Sequence, residues 1–358
     1  MDRLMRIVWP VVPVLLAALA TTILLLVVGA PLGVTYGALV QGAFGTSERV
    51  LSTLAFWVPL LLCAAGLLVT FTAGLWNIGV EGQMIMGAIG ASWVALKVAS
   101  LYPGIPGWLI VPLEIVFAMG AGALWAALAA VLKTRGGVHE IFGGVALNSL
   151  AIIATNYLIS GPWQPPEGGT FRGTQPFPKR ALLPLLGETQ FSPLSVIMAL
   201  LALVLVVFVL RRTSWGLKLK ALGKNPRSAF LLGVSSEREA ITAMMVAGAL
   251  AGLGGAVRVL SWFDSLRQSI SGGIGFLAIL IVLLSGMRPL WVPFITLLFS
   301  ALLNGGTTVQ LRTQLHSALS GLIQGLLVLF VLLFGDYRRV FRPRKPLIEG
   351  VEAEVAHE

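Results

Sequence analysis

Residues 51–73 read LSTLAFWVPLLLCAAGLLVTFTA, 23 positions without a charged side chain. An α-helix needs about 20 apolar residues to cross roughly 30 Å of hydrocarbon, so this run reads as a membrane span. Comparable runs lie on both sides of it, near 11–30, 83–99, 109–131, 141–159, 193–210, 239–257, 273–286, 291–304 and 318–334. Ten spans are thus expected. The composition agrees: 57% of the 358 residues are hydrophobic, 11% are charged and mean hydropathy is +0.90. Soluble domains run near 45–50% apolar and 25% charged. Short alternating strands with polar lumen faces are absent, so the chain reads as an all-α integral membrane protein and not a barrel. Its one cysteine, Cys63, lies inside the quoted run, which excludes an intrachain disulfide and a cysteine-rich metal site.

Charge gives the orientation. With the N-terminus inside, the inner connections hold 17 of the 25 basic residues and the outer ones 8, as the positive-inside rule requires. An even span count puts the C-terminus inside as well. The net charge of +10 then reports basic loops near anionic lipid, and nucleic acid is not an expected partner. The first run follows Arg3 and Arg6 and is long for a signal-peptide core, so it reads as a retained helix. Residues 1–345 form the membrane domain, with an irregular Pro/Gly-rich outer loop at 160–192 and a basic inner segment at 211–238, where Pro226 can open a short helix. The acidic tail over 346–358 reads as disordered.

Several chemistries are excluded. The only Gly-Lys pair, Gly223-Lys224, is followed by Asn225 and lacks the first glycine of a phosphate-binding loop, so any ATP must be bound by another subunit. His139-Glu140 lacks the second histidine of a zinc helix. Glu81, Glu140 and Glu114 fall toward span ends and read as interfacial or capping residues, not the mid-membrane relay of an ion-coupled carrier. Gly248 and Gly252, and Gly321 and Gly325, have the spacing of close helix packing.

Two glycine-broken segments carry more. GLWNIGVEGQMIMGAIG at 74–90 and SGGIGFLAILIVLLSG at 271–286 are the third and eighth spans and cross in opposite directions. An inverted repeat relating spans two to five with seven to ten makes them equivalent, and paired broken segments point to a midplane pathway. Together with ALGKNPRSAFLLGV at 221–234, LLFSALLNGG and SGLIQGLLVLF, in this order, they resemble the permeases of importers for branched-chain amino acids, simple sugars and nucleosides. The run at 74–90 is similar to the nucleoside and simple-sugar branch. Leu277 stands where many members of that branch carry an acidic residue.

The resemblance implies a multi-pass permease subunit of an ATP-binding-cassette importer in the bacterial inner membrane, without catalytic residues, metal or cofactor. It implies three partners: an ATP-binding subunit, often two fused nucleotide-binding domains; a second homologous permease or another copy of this one; and an extracytoplasmic substrate-binding lipoprotein. The pathway is expected at Trp76, Asn77, Glu81, Gln83, Asn148, Gly273, Gly275 and Phe276. An aromatic ring, amides and close backbone suit a neutral, hydroxyl-bearing solute such as a nucleoside. ATPase coupling is expected at Gly223, Asn225, Pro226, Ala229, Phe230, Leu231 and Gly233. A ribose-like sugar permease and an ion-coupled carrier are the alternatives.

Overall fold

A computed structural model describes residues 12–27, 29–166 and 173–313, with 325, 326 and 329. Among these the structure is helical, with one isolated antiparallel bridge between Gly173 and Arg267. Seven helices are long and apolar enough to cross a membrane: α3 (Ser47–Thr72), α4 (Val80–Leu101), α5 (Gly107–Thr134), α6 (Glu140–Ser160), α7 (Pro193–Arg212), α10 (Ser236–Phe263) and α12, of which Val292–Arg312 is the span. Shorter helices are α1 (Val12–Val27), α2 (Leu32–Phe44), α8 (Ser214–Lys224), α9 (Pro226–Leu231) and α11 (Ile274–Leu284). Nine of the ten expected runs thus hold a helix, two of them, α1 and α11, shorter than a full span. The tenth run and the acidic tail lie outside the described residues, apart from the three positions named. Helices α2 and α8 were not expected: their sequences are too short or too charged for a span reading.

Contacts group Gly33–Ser320 into one compact unit, and α1 belongs to the other. At the centre of the larger unit α3 is buried on all sides from Trp57 to Thr70. Thr46 caps its start by accepting from the Arg49 amide at 3.2 Å. Helices α3, α4, α5 and α10 pack through glycine. A Cβ at Gly87 would lie 2.2 Å from the Gly252 Cα, and one at Gly122 would lie 2.2 Å from the Gly248 carbonyl oxygen. Only glycine permits backbones this close.

Helix α12 is joined to α3 by polar side chains. Trp57 Nε1 donates to Thr296 Oγ1 at 2.8 Å, Ser300 Oγ donates to the Thr53 carbonyl, and Asn304 Nδ2 donates to Thr53 Oγ1 at 2.9 Å. Hydrocarbon offers such groups no other partner, so they fix the register of the pair.

Over its described residues 173–192 the Pro/Gly-rich loop is largely irregular yet tied down. Thr174 N donates to the Leu266 carbonyl at 2.9 Å, Phe177 N to the Asp264 carbonyl at 2.7 Å and Leu183 N to the Leu260 carbonyl at 3.0 Å, while Phe177, Leu183 and Phe191 are buried. At the other end, Lys133 meets Glu140 at 2.8 Å and Arg135 meets Glu237 at 2.7 Å, tying the C-terminus of α5 to the starts of α6 and α10.

Candidate functional site

Both broken segments are interrupted as their glycines suggest. Helix α3 ends at Thr72, and the backbone turns at Gly74, with φ +73°, before α4 begins at Val80. On the opposite side α10 ends in a π-helical turn at Arg258–Phe263, and an irregular stretch runs to Gly273, with φ +80°, where α11 begins. The two helix starts meet at Glu81. Its Oε1 accepts from Ser271 Oγ at 2.5 Å and Gly273 N at 3.0 Å, and its Oε2 accepts from Gly275 N at 2.7 Å. The first amides of a helix have no partner within it and carry partial positive charge, so a carboxylate suits this position. Gly275 must be glycine: a Cβ there would lie 2.6 Å from Glu81 Oε2 and 2.7 Å from its backbone nitrogen.

Glu81 therefore lies deeper than the sequence placed it. Its neighbour Gly82 donates its amide to Asn148 Oδ1 at 2.8 Å, and Asn148 is eight residues, about 12 Å of rise, from the Glu140 start of α6. The apolar pattern alone places Glu81 near the inner end of its span. Five non-helical residues after Gly74 instead carry the chain back into the bundle.

The other expected pathway residues divide. Asn77 and Gln83 exchange two hydrogen bonds, at 3.0 and 2.8 Å, and both are fully buried. Asn148 also donates to the Ile78 carbonyl at 2.9 Å. These amides hold the turn before α4, and their hydrogen bonds are made within the chain. Trp76 is exposed and packs on Phe71, with ring centroids 5.5 Å apart, and Phe276 is exposed on α11. The two rings are not brought together.

Arg258, which directly follows the expected span 239–257 at its outer end, is 4% exposed. Its guanidinium lies over Phe56, Trp262 and Phe263, 4.6–5.3 Å from their ring centroids, and Nε donates to the Ile270 carbonyl at 3.3 Å. It thus braces the loop before α11 at Ile270, next to the Ser271 that Glu81 holds. Nothing in the sequence marked it, because an arginine directly after an apolar run reads as a headgroup anchor. Glu114, also expected near a surface, is fully buried and neither oxygen has a hydrogen-bond partner among the described residues.

The inner segment makes a direct contact with the first broken segment. Gly223, near the end of α8, packs on the chain where α3 ends: a Cβ there would lie 2.2 Å from the Thr72 carbonyl oxygen and 3.0 Å from Gly74 N. Asn225 caps α9, its Oδ1 accepting from Arg227 N at 3.0 Å and Ser228 N at 3.1 Å, with Pro226 at the first helical position. Ala229 is buried, whereas Phe230, Leu231 and Leu232 are 69–84% exposed. Gly233 closes the helix with φ +78°, and Val234 N returns to the Ala229 carbonyl at 3.0 Å.

The profile of the family described as the branched-chain amino acid transport system permease component matches residues 49–332. The chain belongs to this permease family. It is similar to the guanosine ABC transporter permease protein NupP of Bacillus subtilis, 30% identical over 92% of this chain and 94% of the relative. It is also similar to the nucleoside permease NupB of Lactococcus lactis, 30% identical over 85% of each, and to the glucose permease TsgB13 of Haloferax volcanii, 30% identical over 86% of this chain and 81% of the relative. The permease is a multi-pass subunit of the bacterial inner membrane and not itself an enzyme, and its family implies an ATP-binding subunit and a substrate-binding protein as partners.

Proposed function

We propose that this permease forms half of a pore that imports nucleosides, alternating between outward and inward access as a partner ATPase closes beneath it. The observation that carries the reading is the meeting of two helix starts, from segments of opposite direction, at Glu81 inside the bundle. Broken helices meeting at depth are how a membrane protein places polar backbone along a route for a polar solute. The inverted repeat, ten spans and both termini inside are consistent with this meeting. Two of the relatives named above are nucleoside permeases, which favours that solute over sugar, although the glucose permease keeps a ribose-like sugar as the second reading.

The exposed apolar face of α9, between the basic α8 and the start of α10, is the surface proposed to enter a cleft of the ATPase, which in this branch carries two fused nucleotide-binding domains. Motion of α8 would reach the pathway through the contact of Gly223 with Gly74. A second permease supplies the facing wall of the pore, and an anchored lipoprotein delivers the solute. The test is uptake of labelled guanosine by the complete assembly in vesicles. Unlabelled purine or pyrimidine nucleosides should compete better than ribose, glucose or leucine, and uptake should stop when ATP is depleted with the proton gradient held. Better competition by glucose or ribose would move the assignment to sugars, and uptake persisting without ATP would remove the importer mechanism.

A further inference from the structure

A cleft of about 200 Å³ opens beside Glu81, lined by Ile85 of α4, Ile152 and Asn156 of α6, and Ser269 and Gly272 of the loop before α11. Ile85 lies one turn beyond Glu81, and Asn156 lies two turns beyond Asn148, so the cleft occupies the half of the bundle toward the outer loop. Its polar groups differ from those of the broken segments. The amides of Asn77, Gln83 and Asn148 are engaged within the chain, and three donors occupy the oxygens of Glu81. The side chains of Asn156 and Ser269 are held by no other described residue. Ser269 also has φ +57°, a left-handed conformation uncommon for a non-glycine residue.

We propose that this cleft is the outward-facing solute site, with Asn156 and Ser269 as its specificity-determining contacts; the inference rests on the nucleoside reading above. A carboxamide presents a donor and an acceptor side by side, the pattern that pairs with the edge of a heteroaromatic base. The Ser269 hydroxyl can give or accept a bond with a ribose hydroxyl. Ile85 and Ile152 supply apolar surface for the flat ring. Glu81 is a positioning residue: by holding Ser271 and Gly273 it fixes the loop that presents Ser269 and Gly272. Complete small-molecule sites are roughly 300–1,000 Å³, so this chain supplies part of the wall and the facing permease the remainder.

Asn156→Cys tests this in a Cys63→Ala background, with the full assembly in vesicles and an impermeant thiol reagent outside. Saturating guanosine, delivered by the binding protein, should slow modification at position 156 several-fold, and leucine should not. Tyr157→Cys, one residue on and 70% exposed, should label equally with and without guanosine. Ser269→Cys provides a second position should the first variant fail to assemble. Guanosine uptake is measured on the same vesicles. Uptake without protection at either position overturns the site and leaves the function intact, whereas absence of nucleoside uptake by the wild-type assembly overturns both.

Discussion

Glu81→Gln removes one hydrogen-bond acceptor with almost no change in shape. Glutamine keeps an oxygen for Ser271 and Gly273 but turns an NH2 group toward Gly275 N, which now meets Glu81 Oε2 at 2.7 Å. Leaving that buried N–H without an acceptor costs about 1–3 kcal/mol. Losing the negative charge at the start of α11 removes roughly 0.3–2 kcal/mol more. A total of about 1.3–5 kcal/mol corresponds to roughly 10- to 4,000-fold in the local opening equilibrium, since 1.4 kcal/mol is tenfold. Amide hydrogen exchange reads this directly: peptides covering 269–280 should exchange faster by that factor, whereas peptides within α3 should be unaffected. If the contact exists in only one access state, the same free energy shifts the access equilibrium and uptake falls with it. Unchanged protection over 269–280 in an intact assembly would refute the reasoning, because the carboxylate would then not be what holds the start of α11.

Coupling is tested by Gly233→Val and Phe230→Asp, which should reach the membrane at near-normal levels yet support little uptake and little substrate-stimulated ATP hydrolysis. The first strains a left-handed position with φ +78° by about 1 kcal/mol or more, and the second puts a charge into the partner cleft; normal uptake by both would place the docking surface elsewhere. For topology, Glu188→Cys and Ser236→Cys in a Cys63→Ala background should label from opposite sides with an impermeant reagent, and labelling of both from outside would remove the N-in orientation. Gly87→Ala should lower thermal stability of the assembly by roughly 1–3 kcal/mol, because its Cβ would lie 2.2 Å from the Gly252 backbone; a wild-type melting temperature would show that α4 and α10 are not in backbone contact there.

The helices were legible because the lipid requirement acts on long uniform runs: nine of the expected runs hold a helix. The broken segments were legible through Gly74, Gly273 and Gly275, whose lack of a Cβ is a local property of the residue. What the sequence could not give was depth. Glu81 lies eight residues from the end of the preceding apolar run, and only the return of 74–79 into the bundle explains why its partners are amides of a helix nearly two hundred positions away. Arg258 and Glu114 were misplaced for a related reason, since distance from a span end measures burial only where the helix stops at the surface. Asn156 left a faint signal. It and Thr155 follow Asn148 by eight and seven positions, returning a polar residue to nearly the same face of an apolar helix. Read alone, that pattern equally describes a side chain satisfied by its own helix, as Thr155 is through the Ala151 carbonyl.

The glycine seam among α4, α5 and α10 bears on how the protein can move. Where backbones touch, no side chains intervene whose rotamers could change, and a shift of one residue along the seam would drive a Cβ into a neighbouring main chain. These three helices therefore behave as one stiff beam. Any cycle between two faces of the membrane has to swing lighter parts about it, and the joints available are the left-handed turns at Gly74, beside α8, and at Gly272 and Gly273, beside the cleft. A ligand that wedges either turn would then arrest the pore without reaching the beam at all.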